Sequence, residues 1–283
     1  MKQSTQKILR FSCCAMAAGL ILAAASYFGG AQISGVTFGP DGAHAPDTES
    51  RTLSQEFPDG FQSVDLDMES GNVTLIPSDR FGVQIQSGVN DSFTCSAEGG
   101  TLKITGSKQS RTVWMNFDFG PRKRDTVQIR IPKGTALKNL KLRVRDGDVR
   151  MSGLKLSRLA CTMKNGNLNL SDSTVGSAVL NNSYGGIQAS GLNSGGLTIY
   201  GKNGNIRLSG TLKGKNYIHS AYGNIGIQTL FPQNRYTLEL STNYGSVTVN
   251  GQKLSGSLLQ TGTSENSLTA SAKNGNVSVD FGK

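Results

Sequence analysis

Aromatic residues make up only 7% of this 283-residue chain, which holds two histidines, four cysteines, seven prolines and one tryptophan. Each shortage excludes something. So little aromatic content beside thirty-six glycines argues against a helical enzyme core. With His44 and His219 the only imidazoles, a Ser-His-Asp triad or a histidine zinc site would have to use one of them. His219 adjoins Ile218, an inward position, and is expected on the outer surface. Cys13 and Cys14 stand at the head of an apolar run, leaving Cys95 and Cys161 outside it, too few for a disulfide scaffold, although one Cys95–Cys161 bond is left open. Acidic residues are sparse beyond Cys161, where only Asp172, Glu239, Glu265 and Asp280 occur. Glycan-cleaving solenoids need clustered carboxylates, so no catalytic, cofactor or metal site is assigned.

What the chain does have is a repeat. KNGNIRLSG at 202–210 returns as KNGNLNLSD at 164–172 and KNGNVSVDF at 273–281, with weaker copies at 145, 183, 221 and 243 and a distant one, ESGNVTL, at 69. The central glycines Gly147, Gly166, Gly185, Gly204 and Gly223 follow one another at intervals of nineteen residues. The spacing then widens to twenty-two at Gly245 and thirty at Gly275, which reads as loop insertions. Apolar residues stand two and four places after each glycine, as in Leu168/Leu170 and Ile206/Leu208. A second alternation lies twelve and fourteen places after it, as in Leu159/Cys161 and Leu197/Ile199. Period-two alternation is a half-buried strand. A nineteen-residue unit of two strands and two turns cannot bury its apolar face alone, but stacked copies bury one another's. The expected fold is therefore all-β: a β-solenoid or β-roll of two-strand repeats over 57–283, with Asn-Gly at the corners because glycine accepts positive φ.

Ahead of it, Lys2, Lys7 and Arg10 precede an uncharged run over 11–31 long enough to cross a membrane as a helix. Residues 1–31 are expected to be a cytoplasmic basic flank and single-pass anchor, with cleavage as a signal peptide near Ala23–Ser26 left open. Residues 32–56 read as a flexible stalk. The expected location is the cell membrane, with the C-terminal domain outside.

VQIRIPKGTALKNLKLRVRDGDVRMSGL, 127–154, with the G-N-(I/L/V)-x-(I/L/V) repeats after it, resembles the bacterial putative adhesin family of β-strand repeats that includes LiaG-like and YvlB-like envelope proteins. The likeness covers about 61–283. It implies a β-repeat fold at the cell envelope, a link to envelope stress, and no catalytic motif.

Two surface features are candidates for a ligand. The charge of +10 is concentrated in 102–160, where fifteen Lys/Arg face four Asp/Glu. Arg122, Lys123, Arg124, Arg143 and Arg145 belong to that band, whose expected partner is an anionic cell-wall polymer or glycan, nucleic acid being disfavoured. The second is the residue just before each glycine, where Tyr184, Tyr222 and Tyr244 alternate irregularly with asparagines. With rungs in sequence order, Tyr184 and Tyr222 stand about 9.6 Å apart, a spacing at which exposed rings stack on sugars. The expected function is a non-enzymatic binding or scaffolding module on the envelope surface. The alternatives are a structural solenoid joined end to end through the open edge of KNGNVSVDFGK and, further off, a glycan-active enzyme.

Overall fold

The computed structural model describes residues 35–40, 42–44, 50–88, 91–107, 115–118, 124–254, 256–262 and 265–282, with Ser12 and Met16. The expected membrane-spanning run, 11–31, otherwise lies outside the described residues. Among the described residues no helix is long and apolar enough to cross a membrane.

Two compact units are present. In the first, Met1–Thr48 with Ser110–Lys123, strand Gly35–Gly39 pairs antiparallel with both Gly42–His44 and Met115–Asp118. The second, Glu49–Gln109 with Arg124–Lys283, is the expected β-stack.

Each rung of the stack has a leading strand, a glycine corner and a trailing strand. Leading strand Lys155–Asn165 lies parallel to Ala136–Asp146 on one side and Thr174–Tyr184 on the other. Trailing strand Leu168–Ser171 lies between Val149–Ser152 and Ile187–Ser194 in the same sense. The parallel register puts equivalent positions in columns. Leu66, Leu142, Cys161, Leu180, Ile199, Ile218, Ala270 and Leu240 form one inward column, and every member is buried. Val73, Val149, Leu168, Ile187, Ile206, Ile225, Val277 and Val247 form a second. These two columns make a continuous apolar interior, which is how repeats too small to fold alone stabilise one another.

Each coil also has a third inward run that the two alternations do not reveal. Leu137, Leu156, Val175 and Ser194 are in register and buried, while the two residues that follow Leu156, Ser157 and Arg158, both face out. Two successive outward residues turn the chain through a second corner inside one long strand.

The corner glycines need no side chain for a direct reason. A Cβ on Gly166 would strike the carbonyl oxygen of Gly147, one on Gly185 that of Gly166, and one on Gly204 that of Gly185. Their φ values of +124°, +128° and +141° also lie where L-residues rarely go. Next to them runs a side-chain ladder: Asn72 Oδ1 accepts the Asp148 N–H at 2.9 Å, Asp148 Oδ1 the Asn167 N–H at 2.9 Å, and Asn167 Oδ1 the Gly186 N–H at 2.9 Å. It resumes from Asn205 to Asn224, Asn276 and Ser246. The second asparagine of each KNGN thus satisfies a corner N–H that no strand partner reaches.

Three expectations change and one open alternative closes. The rungs do not stack in sequence order: the last, Asn266–Asn274 with Val277–Phe281, is inserted between the Gly223 and Gly245 rungs. The long interval to Gly275 is therefore an excursion outward and back. KNGNVSVDFGK consequently has no open edge; beyond the Gly245 rung lie Gln252–Leu254 and Ser257–Gln260, both antiparallel. Ser50–Glu56, placed in the stalk by its lack of an apolar period, is a strand on Gly82–Gly88; all seven residues are exposed, so backbone pairing holds it. Finally, both described cysteines are free. Cys95 aligns with Ile104, Leu66, Leu142 and then Cys161, four strand spacings or about 19 Å, far beyond disulfide reach.

Candidate functional site

The outer surface along the first corner collects the chemistry, because outward positions on parallel strands form columns just as inward ones do. On the first rungs the columns are charged. Asp65, Asp67 and Glu69 project from Ser63–Ser70, and Lys141, Arg143 and Arg145 from the neighbouring strand Ala136–Asp146. Lys141 Nζ stands 3.4 Å from Asp65 Oδ2, Arg143 Nη1 3.1 Å from Asp67 Oδ2, and Arg145 Nε 3.7 Å from Asp146 Oδ2. Asp67, Glu69, Arg143, Arg145, Lys164 and Ser183 border a shallow groove of about 330 Å³. These pairs are about half exposed, so each stabilises the fold by at most about 1 kcal/mol. Their larger effect is to place carboxylates among the guanidiniums.

Farther along, the corner becomes aromatic. Tyr184, Tyr222 and Tyr244 are 47%, 50% and 72% exposed, so their rings are available to a ligand. The inserted rung sets their order. Gly166 donates its N–H to the Tyr184 carbonyl, Gly185 to Asn203, Gly204 to Tyr222, Gly223 to Asn274 and Gly275 to Tyr244. Read along the stack, the column is Asn165, Tyr184, Asn203, Tyr222, Asn274, Tyr244, with a tyrosine on every second rung. Rungs with asparagine carry lysine one residue earlier, namely Lys164, Lys202 and Lys273; rungs with tyrosine carry Ser183, Ala221 and Asn243. All three lysines are exposed, and among the described residues none forms an ion pair. Lys202 Nζ sits 5.9 Å from the centre of the Tyr184 ring, within cation–π range.

The family model named Toastrack DUF4097 matches residues 61–281. The chain belongs to this Toastrack family. No curated protein matches the sequence. Among solved structures, a putative adhesin from Bacteroides fragilis is 13% identical, covering 83% of this chain and 98% of its own, at a TM-score of 0.43. A putative cell adhesion protein from Clostridium sporogenes is 13% identical over 82% of this chain and 100% of its own, at 0.34. A putative lipid binding protein from Parabacteroides distasonis is 12% identical over 84% of this chain and 98% of its own, also at 0.34.

Within the Toastrack domain the sequence-derived candidates divide. Tyr184, Tyr222 and Tyr244 share one ridge, Arg143 and Arg145 share one strand beside it, and Arg124 is exposed. Arg122 and Lys123 lie outside the described residues. Lys164, Lys202 and Lys273 were not singled out from sequence; their strict alternation with the tyrosines exists only in stack order, since Tyr222 and Tyr244 are successive copies in the chain. A second aromatic group was also missed: Tyr200 and Tyr217 lie 5.6 Å apart, with Tyr200 6.5 Å from the His219 ring. His219 is half-buried rather than fully exposed, and its Nδ1 is 2.9 Å from Ser271 Oγ. Burial pushes the Cys161 thiol up to about 12 and raises that of half-buried Cys95, leaving both poor nucleophiles at neutral pH. Among the described residues no three His, Cys, Asp or Glu side chains cluster as a metal site.

Proposed function

We propose that this Toastrack protein is a membrane-anchored, non-enzymatic module of the bacterial envelope surface, and that the corner ridge with its adjoining charged groove engages anionic wall polymer or glycan. The apolar run at 11–31 supplies the anchor, and the envelope location follows from it and from the family resemblance. The observation that carries the binding reading is the rigid outward column itself. Exposed cations and aromatic rings are held at fixed rung spacing by a backbone whose every corner is hydrogen-bonded to the next, so a long polymer meets an already ordered surface.

Retention of the full chain, in detergent, on native envelope material tests this. Retention is expected to fall as salt rises and to weaken several-fold when Arg143 and Arg145 become glutamine. Because Asp67 pairs with Arg143, Asp67→Asn is expected to strengthen it. Retention unchanged by all three substitutions rejects the charged groove. End-to-end self-association, the other reading, would have to use the antiparallel edges Gln252–Leu254 and Ser257–Gln260, whose Leu259 is 80% exposed.

A further inference from the structure

The ridge has a period, and the period has a chemical meaning. Tyr184, Tyr222 and Tyr244 occupy every second rung, and Lys164, Lys202 and Lys273 the rungs between. At strand spacing, like groups recur every ~9.6 Å, and each lysine, one residue earlier on its strand, is offset from its neighbouring tyrosines by about 4.8 Å along the stack axis. This order is not that of the chain. In sequence the Tyr222 copy is followed directly by Tyr244, and the lysine copy at Lys273 comes last. Only the insertion of Asn266–Phe281 between those two rungs separates the rings by a lysine rung.

From this alternation we infer that the ridge is a binding surface for a linear anionic polysaccharide bearing one carboxylate per two sugars, lying along the stack axis. In an extended β-linked chain each ring is turned over relative to the last, so the same face and the same substituent return at every second sugar. That places one apolar ring face against each tyrosine and one carboxylate at each lysine, which a ring-free polyanion or an uncharged glycan can match only in part. The ring faces are attracted by stacking and the carboxylates by charge-assisted hydrogen bonds from ammonium groups that have no carboxylate of their own. Asn165 and Asn203 bind neighbouring backbone or side-chain groups instead: Asn165 Nδ2 donates to Asp146 Oδ1, and Asn203 Nδ2 donates to the Ser183 carbonyl at 3.4 Å. Those rungs therefore offer the lysine, not the asparagine, to a ligand, Lys202 from its place over one face of the Tyr184 ring. The inference rests on the binding reading above and narrows it to one ligand class and one set of contacts.

Calorimetric titration of the detergent-solubilised full chain with hyaluronan oligosaccharides, which alternate uronate and N-acetylhexosamine, tests it. Tyr222→Ala is expected to weaken binding about tenfold, and Lys202→Gln to weaken it and flatten its salt dependence. Fully N-acetylated chito-oligosaccharides, neutral and likewise β-linked, and poly(glycerol phosphate), anionic and ring-free, are both expected to bind more weakly. The substituted side chains are exposed, and unchanged circular dichroism confirms that each variant is folded. No hyaluronan binding, binding indifferent to Tyr222→Ala, or equal binding of either comparison polymer would overturn the inference. If any of these occurs while envelope retention still responds to Arg143→Gln and Arg145→Gln, the broader binding reading stands and only this ligand assignment fails.

Discussion

At the scale of single residues, the corner glycine and the asparagine after it answer different demands. The glycine supplies space and positive φ; the asparagine supplies an acceptor for the next corner's N–H. Replacing Gly166 by alanine would put a methyl group onto the Gly147 carbonyl at a φ of +124°. The expected destabilisation is about 2–3 kcal/mol. Gly99→Ala, at φ +56° but with nothing within 4 Å, should cost only about 1 kcal/mol. Urea denaturation of both variants checks the difference, and equal losses would mean that rung-to-rung contact does not select the corner glycine. Sequence shows that a glycine is needed at these positions. It does not show that the constraint comes from the adjacent corner, because that neighbour is nineteen residues away.

At the scale of elements, alternation at period two marks inward positions wherever a strand runs straight, and Leu168/Leu170 and Ile206/Leu208 are buried as expected. It fails at Ser157-Arg158, where the second corner interrupts the period and hides Leu156 from the count. The ion pairs were legible in principle. Asp67 and Arg143 each stand four residues before their corner glycines, Gly71 and Gly147, so equal offsets on stacked rungs bring them together. The position of the final rung was not legible, since Val247/Val249 and Val277/Val279 present the same pattern and fit either order. That position has a consequence for stability. In a stacked repeat an end rung shares one interface and an interior rung two. Truncation after Gly262 removes strands paired on both sides. It should abolish cooperative unfolding of the C-terminal rungs and leave Lys215–Tyr244 readily cleaved in limited proteolysis. A truncated chain as protease-resistant as the intact one would place the last rung at the end of the stack instead.

At the scale of the whole molecule, the stack converts a weakly informative sequence into a patterned exterior. The charged columns, the tyrosine ridge and the lysines between its rings are features of rung order, and none is a contiguous motif. The alternation of tyrosine and lysine therefore depends on the Gly275 rung lying between Gly223 and Gly245. Paired cysteines on the exposed ridge test that order directly, in a chain whose other cysteines are replaced by serine. Adjacent positions lie about one strand spacing apart and alternate ones about 9.6 Å, beyond the roughly 7 Å limit for a disulfide. Under mild oxidation, Tyr222→Cys with Asn274→Cys should cross-link and Tyr222→Cys with Tyr244→Cys should not; the opposite result, a bond between 222 and 244 and none between 222 and 274, would contradict the account.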